Sequence, residues 1–370
     1  MRVLALNCGS SSLKHALFDV DVGGEREVSR GSVERIGETV PDHAAAVGSV
    51  LDDLERRGEP LPEAIGHRIV HGGAEHTAPA RVDAALLESL RALVPFAPLH
   101  LPAEIRAVEA VLKRWPKRLQ VACFDTAFHR TLSEVAQRYA VPEDVDRLGL
   151  RRYGFHGLSY EYVVSLVGAK TLGRAVIAHL GNGASMAAVR DGASVDTTMG
   201  FSPAGGLVMG TRLGDVDPGL VVHWLGLGKG HDAKALDELV NKRSGLLGVS
   251  GTTADVRDLL ARRSTDARAA LALDVFAWSA RKWVGAMAAA AGGLDTLVFT
   301  GGIGEHAAPV RAAIASGLEH LGVQLDPARN DRHDPVVSPD GAACTVRVVK
   351  TDEERMVARH AGRIAASGEA

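Results

Sequence analysis

Apolar positions follow two spacings along this chain, and each spacing predicts a different element. Segments with the period of an amphipathic helix lie at residues 44–55, 84–93, 103–114, 160–167, 236–241, 267–291 and 307–321. Short continuous apolar runs, typical of buried strands, lie at residues 65–70, 119–124, 175–179, 296–300 and 346–349. The polar stretch 326–341 is predicted to be a surface loop. Helices that alternate with buried strands favour sheets covered by helices, so we predict an α/β protein.

Two distant segments are built on the same plan. Residues 2–20 and 174–192 each show an apolar strand, a tight loop of Gly, Ser or Asn, a second strand and an acidic turn. Gly9 in the first loop and Gly181 and Gly183 in the second lack a Cβ, so the backbone can approach an anion closely. The repeat predicts two phosphate-binding hairpins, and its restart near residue 174 places a domain boundary between about residues 140 and 155.

A third glycine-rich turn has a different layout. The sequence TGGIGE at residues 300–305 follows the apolar strand 296–300 and precedes a predicted helix. A strand, a glycine turn and a helix in this order are typical of a site where a nucleotide lies at a helix N-terminus.

Composition limits the possible partners. A chain of 370 residues predicts two domains, and a net charge of −3 without a basic run argues against nucleic acid. Cys8, Cys123 and Cys344 are too few and too scattered for a disulfide framework, which indicates a reducing compartment. The N-terminal apolar run is broken at Asn7, and the Ala- and Gly-rich stretch 283–294 is too short to span a bilayer. We therefore expect a cytoplasmic protein with no membrane partner.

Several ionisable residues stand at the ends of predicted strands and in turns, where catalytic groups are usually carried. They are Arg68, Asp125, His156, Arg212 and Glu353. Each has a purely structural alternative: a strand arginine is often a surface ion-pair partner, and Asp125 is placed where it could cap a helical turn. The histidines of the segment GHRIVHGGAEH do not have the spacing of a helical His pair, which argues against a metal site there.

The order of the motifs carries a resemblance to a known family. The motifs are NCGSSSLK, GHRIVHGG, APLH, FDTAFH, RRYGFHG, HLGNGAS, MGFSP, GTRLGDVDP, KRSGLLGVSG, FTGGIGE and TDEE, and they run from residue 2 to about residue 360. In order and spacing they resemble the acetate kinase family, which belongs to the actin-like, sugar-kinase-like ATPases. The resemblance implies an α/β fold of two duplicated actin-like (ribonuclease H-like) domains, each a mixed five-stranded sheet flanked by helices, with an ATP cleft between them.

The same resemblance implies how the chain is divided. We expect an N-terminal domain over residues 1–148, joined by the C-terminal helix 355–370. Residues 149–354 would form the C-terminal domain, which would carry most of the nucleotide site and the dimer interface. A homodimer is expected, with the segment 221–227 contributing apolar contacts.

By resemblance, residue roles follow where the motifs match. Mg²⁺, with Mn²⁺ as an alternative, would be held by Asn7 and Glu353. The catalytic groups would be Asp125, His156, Arg212 and Arg68. The acetate site would be formed by Arg68, Val70, Leu99, Phe155, Pro203 and Arg212. ATP and ADP would be bound by Lys14, His179, Leu180, Gly181, Asn182, Gly183, Asp255, Val256, Arg257, Gly302, Ile303, Gly304, Glu305 and His306.

The implied reaction suits these residue types. A carboxylic acid is already ionised at pH 7, so its attack on the ATP γ-phosphate needs no strong general base. The difficulty is to bring two anions together, and arginines, a histidine and Mg²⁺ supply the positive charge for that. We therefore assign Asp125 to alignment and to positioning metal-bound water, in preference to the role of a base that removes a proton.

The chain departs from the family pattern at Leu101, Leu158, Tyr160, His306 and Asp352. These departures bear on nucleotide affinity, metal geometry and acyl specificity, and His306 leaves pyrophosphate open as the phosphoryl donor. Propionate or butyrate could replace acetate, since the acids differ by single methylenes. A non-catalytic actin-like nucleotide-binding protein is a further alternative, against which the presence of Arg68, His156 and Arg212 counts. A sugar or glycerol kinase of the same fold is disfavoured, because a hydroxyl acceptor needs a base and several polar ligands.

Overall fold

The computed structural model describes residues 1–9, 11–58 and 60–367. Ser10 of the first hairpin loop and residues 368–370 of the predicted C-terminal helix lie outside the described residues. Two compact units are present. Unit 1 contains the described residues of Met1–Arg130, Phe155–Tyr162 and Asp352–Ala370, and unit 2 contains Thr131–Gly154 and Val163–Thr351. The domain boundary at residue 148 stays a prediction.

The strands follow the predicted apolar runs closely. Their bounds are β1 Arg2–Cys8, β2 Ser12–Asp21, β3 Gly24–Glu34, β4 Ala64–Ile69, β5 Ala80–Arg81, β6 Leu119–Phe124, β7 Arg174–Leu180, β8 Ala184–Arg190, β9 Ala193–Thr197, β10 Thr296–Thr300 and β11 Thr345–Val348. Both predicted hairpins, β1–β2 and β7–β8, form antiparallel pairs.

The helices lie between the strands, as the alternating pattern predicted. Their bounds are α1 His43–Arg56, α2 Ala84–Ala92, α3 Leu101–Arg114, α4 Glu134–Gln137, α5 Glu143–Asp146, α6 Gly157–Val167, α7 Ala169–Leu172, α8 Pro218–Gly226, α9 Ala233–Glu238, α10 Gly245–Ser250, α11 Val256–Arg262, α12 Ala267–Ala291, α13 Gly301–His306, α14 Ala308–Ala315, α15 Pro327–Asp331 and α16 Glu353–Ser367. Asp42 and Asp266 cap α1 and α12 by accepting hydrogen bonds from backbone N–H groups of the first turn.

Unit 1 is a mixed sheet between helices. Within the described residues six strands pair in the order β3-β2-β1-β4-β6-β5, with β1, β4 and β6 mutually parallel. Side chains of α1 and α3 pack with one face of the sheet in a core that includes Leu6, Val47 and Val111. On the other face α16 packs against β1, β2, β4 and β6, with Val357 and Ala361 in the core.

Unit 2 repeats the plan with a second mixed sheet. In the part of the chain that is described, five strands pair in the order β11-β10-β7-β8-β9, and β7, β10 and β11 run parallel. Helix α12 packs on β7, β8 and β9, and α13 lies against β7 and β10. The predicted α/β fold of two mixed sheets flanked by helices is therefore confirmed.

Three sequence predictions need correction. The first sheet has a sixth, two-residue edge strand, β5, which is too short to show a period. Residues 326–341 are not simply a surface loop, because they contain α15 and bury Asn330 and Val337. The helix predicted over 307–321 ends at Ala315, since Gly317 takes a left-handed φ of 88° and breaks the helical backbone.

Among the described residues, no helix combines the length and apolar character needed to cross a membrane.

Candidate active site

Three parallel strands of unit 1 bring polar side chains to one edge of the sheet. Asn7 lies near the end of β1, Arg68 near the end of β4, and Asp125 directly after β6. The register pairs Leu6 with His67 and Ile69 with Phe124, so the carboxyl ends of these strands lie side by side. We call Asn7, Arg68, Asp125 and Glu353 the unit 1 cluster.

Arg68 is the centre of the unit 1 cluster. Its Nε donates to Asp125 Oδ1 at 3.0 Å and its Nη2 to Asp125 Oδ2 at 2.5 Å, a two-point contact that fixes both side chains. Its Nη1 donates to Asn7 Oδ1 at 3.1 Å. Glu353 Oε2 lies 3.6 Å from Arg68 Nε. One guanidinium thus orients the two carboxylates and the amide.

Glu353 enters the cluster because it is the first residue of α16. Asn7 Nδ2 donates to Glu353 Oε2 at 3.1 Å and to Glu354 Oε1 at 2.9 Å. Glu354 is also held by Arg30, whose Nη1 lies 2.8 Å from Glu354 Oε2. Packing of α16 on the sheet therefore carries a carboxylate from a segment far away in sequence to the end of β1.

Burial and charge act in opposite directions on this cluster. Burial raises the pKa of Asp125 to about 6, although the neighbouring Arg68 opposes that rise. Burial acts to lower the pKa of Arg68, but Asp125 and Glu353 outweigh it, and the net shift is upward. The cluster thus sets one guanidinium against two carboxyl groups, those of Asp125 and Glu353. The unit 1 cluster carries a net negative charge, which favours a cation.

A buried acid of α3 adjoins the cluster. Glu104 Oε2 accepts a hydrogen bond from Val70 N–H at 3.0 Å, while Oε1 has no partner among the described residues. Burial raises the pKa of Glu104 to about 8, against the influence of Arg68. Burial therefore favours the neutral form of Glu104, and the main charge partners of Arg68 are Asp125 and Glu353.

The loop before α6 is fixed to the end of β6. His156 has a left-handed φ of 59°, and its backbone N–H bonds to the Asp125 carboxylate. Gly157 N–H donates to Asp125 O at 2.8 Å, and a Cβ on Gly157 would lie only 2.1 Å from that oxygen. Glycine at position 157 allows this close approach, which places His156 beside Asp125.

The residues predicted to surround the acetate methyl group are divided between the units. Val70 and Phe155 are buried in unit 1, Phe155 with its ring edge-on to His71 at 5.6 Å, and Leu99 is partly buried. Pro203 belongs to unit 2, where its carbonyl accepts from Arg212 Nη1 at 3.2 Å.

Unit 2 contains a cavity of about 510 Å³, which is within the usual size of a ligand site. Its lining includes predicted nucleotide residues from three separate segments: Gly181, Asn182, Asp255, Val256, Arg257, Gly302, Ile303 and His306. Ala254, Leu260 and Ala307 complete the lining and were not predicted. Leu260 lies one helical turn after Val256 on α11, so the helical period was a usable signal for it.

The glycine turn over residues 301–306, which is α13, forms one wall of this cavity. Gly301 has a φ of 75°, and a Cβ there would lie 2.8 Å from Leu180 O. Glu305 Oε1 accepts hydrogen bonds from Gly301 N–H and from Thr351 N–H, both at 3.0 Å. The side chain of Glu305 thus holds the start of the turn, while Gly302 and Ile303 face the cavity.

Arg212 lies on a loop that is attached to the same cavity. Met209 N–H donates to Arg212 O at 3.2 Å, and Gly210 N–H donates to Asn182 O at 3.0 Å. A Cβ on Gly210 would lie 2.1 Å from Asn182 Oδ1, so the loop packs directly on the β7–β8 turn. The loop that carries Arg212 is therefore attached to the β7–β8 turn, which supplies Gly181 and Asn182 to the cavity lining.

Other predicted nucleotide residues lie away from the cavity lining. Lys14 is exposed on β2 of unit 1. His179 and Leu180 are buried in β7, Gly183 closes the β7–β8 turn through its carbonyl, and Gly304 and Glu305 are buried within α13. The buried residues of β7, the β7–β8 turn and α13 support the wall of the cavity, whereas the residues of the lining can touch a ligand.

The unit 1 cluster meets the chemical needs of Mg²⁺. Within the described residues no group of three or more His, Cys, Asp or Glu side chains could enclose a metal ion. Mg²⁺ is nevertheless commonly held by one or two carboxylates, with waters and substrate phosphates as the other ligands. Asn7 and Glu353 carry oxygen donors of the kind that Mg²⁺ prefers, so the donor types fit, while Asn7 turns its Oδ1 toward Arg68 and its Nδ2 toward Glu353.

Comparisons with known proteins agree with this geometry. A model of the Acetokinase family matches residues 36–359. The chain is 46% identical to the acetate kinase of Micrococcus luteus over 383 residues, which covers 97% of this chain and 98% of that protein.

Two solved structures are also similar over almost the whole chain. Porphyromonas gingivalis acetate kinase has a TM-score of 0.88 at 37% identity and covers 98% of this chain and 99% of its own. A propionate kinase from Francisella tularensis has a TM-score of 0.89 at 34% identity, with the same coverage. Fold and comparisons together define a phosphotransferase whose acceptor is a carboxyl group. The chain belongs to the acetokinase family.

Glu104 is the residue of the unit 1 neighbourhood that the sequence did not predict as important. It lies on α3 between Leu101 and Val108, at the spacing of the buried face of that helix. A single acidic residue on an otherwise apolar helical face was the available signal, because a carboxyl group on the face that packs against the core must be buried with it.

Proposed function

We propose that this protein is an acetate kinase that transfers the γ-phosphoryl group of ATP reversibly to the carboxylate of acetate, giving acetyl phosphate and ADP. Within the family assignment, the observation that carries the proposal is the unit 1 cluster, where the Arg68 guanidinium, held by Asp125 and Asn7, stands beside the carboxylate of Glu353. The cavity of unit 2, built from three glycine- and loop-derived segments, supports a nucleotide as the second substrate.

The proposed roles follow from charge and position. Arg68 would bind the acetate carboxylate, and its two contacts to Asp125 hold it in a single orientation before the substrate arrives. Arg212 and His156 would stabilise the charge on the transferring phosphoryl group, which is where an arginine has its largest effect. Val70, Leu99, Phe155 and Pro203 would surround the methyl group.

Asp125 is better suited to alignment than to proton removal. Acetate arrives ionised, so no proton has to be abstracted from it. The Asp125 carboxylate is already occupied by two bonds from Arg68 and one from the His156 backbone. We therefore assign it to orienting Arg68 and His156 and to positioning metal-bound water.

Asn7 and Glu353 would hold Mg²⁺, with Mn²⁺ as an alternative. When bound, the ion would neutralise negative charge on the phosphate groups of ATP. The direct contact of Asn7 with Glu353 keeps both side chains at the same edge of the sheet, where Arg68 limits their movement.

The choice of acid is the finest point of the proposal. Acetate and propionate differ by one methylene, worth about 1–3 kcal/mol in an apolar pocket. We propose acetate as the preferred substrate and propionate as a secondary one, because the relatives of 45–46% identity are acetate kinases.

The decisive experiment traps acyl phosphate as its hydroxamate, using purified protein, MgATP and acetate, propionate or butyrate. We expect most product with acetate and its loss in Arg212→Ala. Arg190→Ala is the matched control, because Arg190 is an exposed arginine at the end of β8 in the same unit. A maximum with butyrate would defeat the acid assignment. If acyl phosphate forms with pyrophosphate but not with ATP, pyrophosphate is the phosphoryl donor. If the protein binds ATP but forms no acyl phosphate with any acid, it is a non-catalytic nucleotide-binding protein.

A homodimer is proposed on a separate observation. Helix α8 and the residue after it expose apolar side chains, with Val222 70% and Leu227 56% accessible. An exposed apolar stretch of this kind is typical of an interface. Light scattering should give twice the 38.9 kDa chain mass, and Val222→Asp should shift the protein toward monomer. A wild-type protein that is monomeric at all concentrations would refute this assignment.

We also propose a cytoplasmic location. Cys8, Cys123 and Cys344 are free and buried, and burial raises the pKa of the Cys8 thiol to about 12 and that of Cys344 to about 11. Thiols kept in this form suit a reducing compartment.

A further inference from the structure

Unit 2 contains a fully buried arginine that the proposed reaction does not use. Arg311 on α14 has no exposed surface and is among the largest completely buried side chains of the described residues. No carboxylate among the described residues forms an ion pair with it that would account for its burial. Burial lowers the pKa of Arg311 to about 10, which leaves the guanidinium charged at pH 7. A buried charge persists only if its donors are well satisfied.

The partners of Arg311 explain how it is satisfied. Its Nη1 donates to the carbonyl oxygens of Gly304 and Glu305, both at 2.9 Å. Its Nε donates to Asn330 Oδ1 at 2.8 Å, and its Nη2 donates to Asn330 O at 2.7 Å. The Nη2 group also contacts His333 Nδ1 at 2.9 Å. These bonds tie α14, α15 and His333, the second residue after α15, to the glycine turn.

The two carbonyls on α13 are significant because of where they lie. Gly304 and Glu305 are in the last turn of α13, where carbonyl oxygens have no partner within the helix and carry partial negative charge. A guanidinium that donates to both of them stabilises this end of the turn. Glu305 holds the other end through Gly301 N–H, as described above. Arg311 therefore completes the fixing of the turn whose residues Gly302 and Ile303 line the cavity.

We propose that Arg311 is a positioning residue for nucleotide binding, which fixes the glycine turn, and that His333 holds Arg311 in that arrangement. This inference rests on the proposed function, because it takes the unit 2 cavity as the nucleotide site. The side chain of Arg311 does not line the cavity. It bonds to the backbone carbonyls of Gly304 and Glu305, which belong to the same turn as the lining residues Gly302 and Ile303. Its loss should therefore weaken binding of ATP and ADP and leave the affinity for acetate unchanged.

His333 is the adjustable part of this arrangement. Its Nδ1 can accept a hydrogen bond from Arg311 only when the ring is neutral at that nitrogen. The charged groups facing it are Arg311 on α14, His306 on α13 and Asp331 on α15, while its neighbours Arg332 and Asp334 pair with each other at 2.7 Å. Its ring lies edge-on to that of His306, a cavity residue, at 6.2 Å.

The direction of the pH effect follows from these contacts. Partial burial lowers the pKa of His333, and the positive charge of Arg311 and proximity to His306 add to the decrease. The bond to Arg311 is present above that pKa and is lost as the pH falls through it. Protonated His333 would also repel Arg311. Nucleotide affinity should accordingly decrease on acidification by more than substrate titration alone explains.

Two substitutions at position 333 separate this role from a merely structural one. His333 has a left-handed φ of 56°, which glycine and asparagine tolerate. His333→Gly removes the acceptor without adding strain. His333→Asn retains an acceptor oxygen near the position of Nδ1 but cannot titrate. Because His333 is exposed, both variants should fold.

We would measure KM for ATP, KM for acetate and kcat, together with calorimetric binding of ADP, from pH 5.5 to 8. His333→Gly should raise KM for ATP and Kd for ADP about three- to tenfold, with KM for acetate and kcat within about twofold. His333→Asn should match the wild type at pH 7.5 and bind ADP more tightly than the wild type at pH 5.5. Arg311→Lys, which retains charge but loses the fork, should exceed the effect of His333→Gly.

Four results would overturn the inference. His333→Gly that binds ADP as tightly as the wild type at pH 7.5, or that changes both KM values equally, would refute a positioning role. Wild-type protein that binds no ADP would overturn the proposed function and this inference together. Tight ADP binding that is identical in all variants would overturn the inference alone.

Discussion

The unit 1 cluster and the unit 2 cavity are constructed in different ways. The unit 1 cluster consists of ionised side chains that are buried and mutually bonded, with Arg68 at its centre. The support of the unit 2 cavity depends more on backbone, because Gly301, at a left-handed φ of 75°, approaches Leu180 O more closely than a residue with a Cβ could. The first arrangement suits charge stabilisation and the second suits close binding of phosphates, so substitutions in the two regions should fail differently.

The largest expected effect comes from removing the central charge of the unit 1 cluster. Arg68→Ala should lower kcat/KM for acetate by about 10² to 10³, because it removes the proposed cationic partner of the acetate carboxylate. It also leaves Asp125 buried without its partner, which costs about 3–5 kcal/mol of stability, so rates should be compared below the melting temperature of the variant. Hydroxamate formation measures the rate and calorimetry with ADP measures nucleotide binding.

Arg91→Ala is the control for that experiment, because Arg91 is half-exposed on α2 and pairs only with surface glutamates. It should remain within about twofold of the wild type. An Arg68→Ala variant that keeps more than a tenth of the activity, or that mainly loses affinity for ADP, would remove the distinction between the two regions.

A smaller effect is expected from a substitution in the glycine turn of the unit 2 cavity. Gly301→Ala forces a Cβ toward Leu180 O at a φ of 75°, so we expect the turn to shift and KM for ATP to rise about ten- to a hundredfold. Steady-state kinetics with ATP and acetate varied separately provide the measurement. Gly285→Ala on α12 is the matched control, because a Cβ there meets nothing within 4 Å. If KM for acetate rises in parallel, the turn does not act on the nucleotide alone.

The smallest effect concerns pH and Glu104. The pKa of Glu104 is about 8 in the folded protein against an ordinary value of 4.5, so the folded state holds this proton more tightly than the unfolded chain. The stability from that proton is present at low pH and is lost as the pH rises from 4.5 through 8. Relative to Glu104→Gln, the wild type should lose up to about 1.4 kcal/mol per pH unit in this window.

Urea unfolding at pH 5, 6, 7 and 8 would test the Glu104 prediction. Glu88→Gln, at an exposed position on α2, should show no such slope. A difference between wild type and Glu104→Gln that is constant with pH would mean that Glu104 is ionised throughout, and the net charge of the unit 1 neighbourhood would then be more negative than inferred.

The sequence predicted the sheets best where both faces of a strand are covered. The strands β1, β6 and β10 are almost wholly buried, so their residues form continuous apolar runs. The edge strand β3 alternates between partly exposed and exposed residues and carries several charges, so it gave no apolar run. Its pairing with β2 comes from hydrogen bonds of the backbone, which leave no mark on residue type.

The candidate site shows the same limit. Arg68 and Asp125 stood out because a charged residue next to a buried strand is uncommon, and motif order then suggested their roles. Arg311 and Glu104 did not stand out, because a charged residue within a helical pattern usually faces solvent. Their burial depends on tertiary partners such as Asn330, which lies in a segment that the sequence indicated as a loop. Periodicity cannot show which polar groups the fold will bring together.

The position of Glu353 at the start of α16 has a consequence for biosynthesis. On the ribosome, β1 is synthesised more than 340 residues before α16, so the apolar face that holds Val3 and Phe18 must wait for Val357 and Ala361 to cover it. The same late segment delivers Glu353 to Asn7. A nascent or truncated chain without α16 therefore lacks both the cover of its first sheet and a proposed metal ligand, and we expect it to be a chaperone client without enzymatic activity.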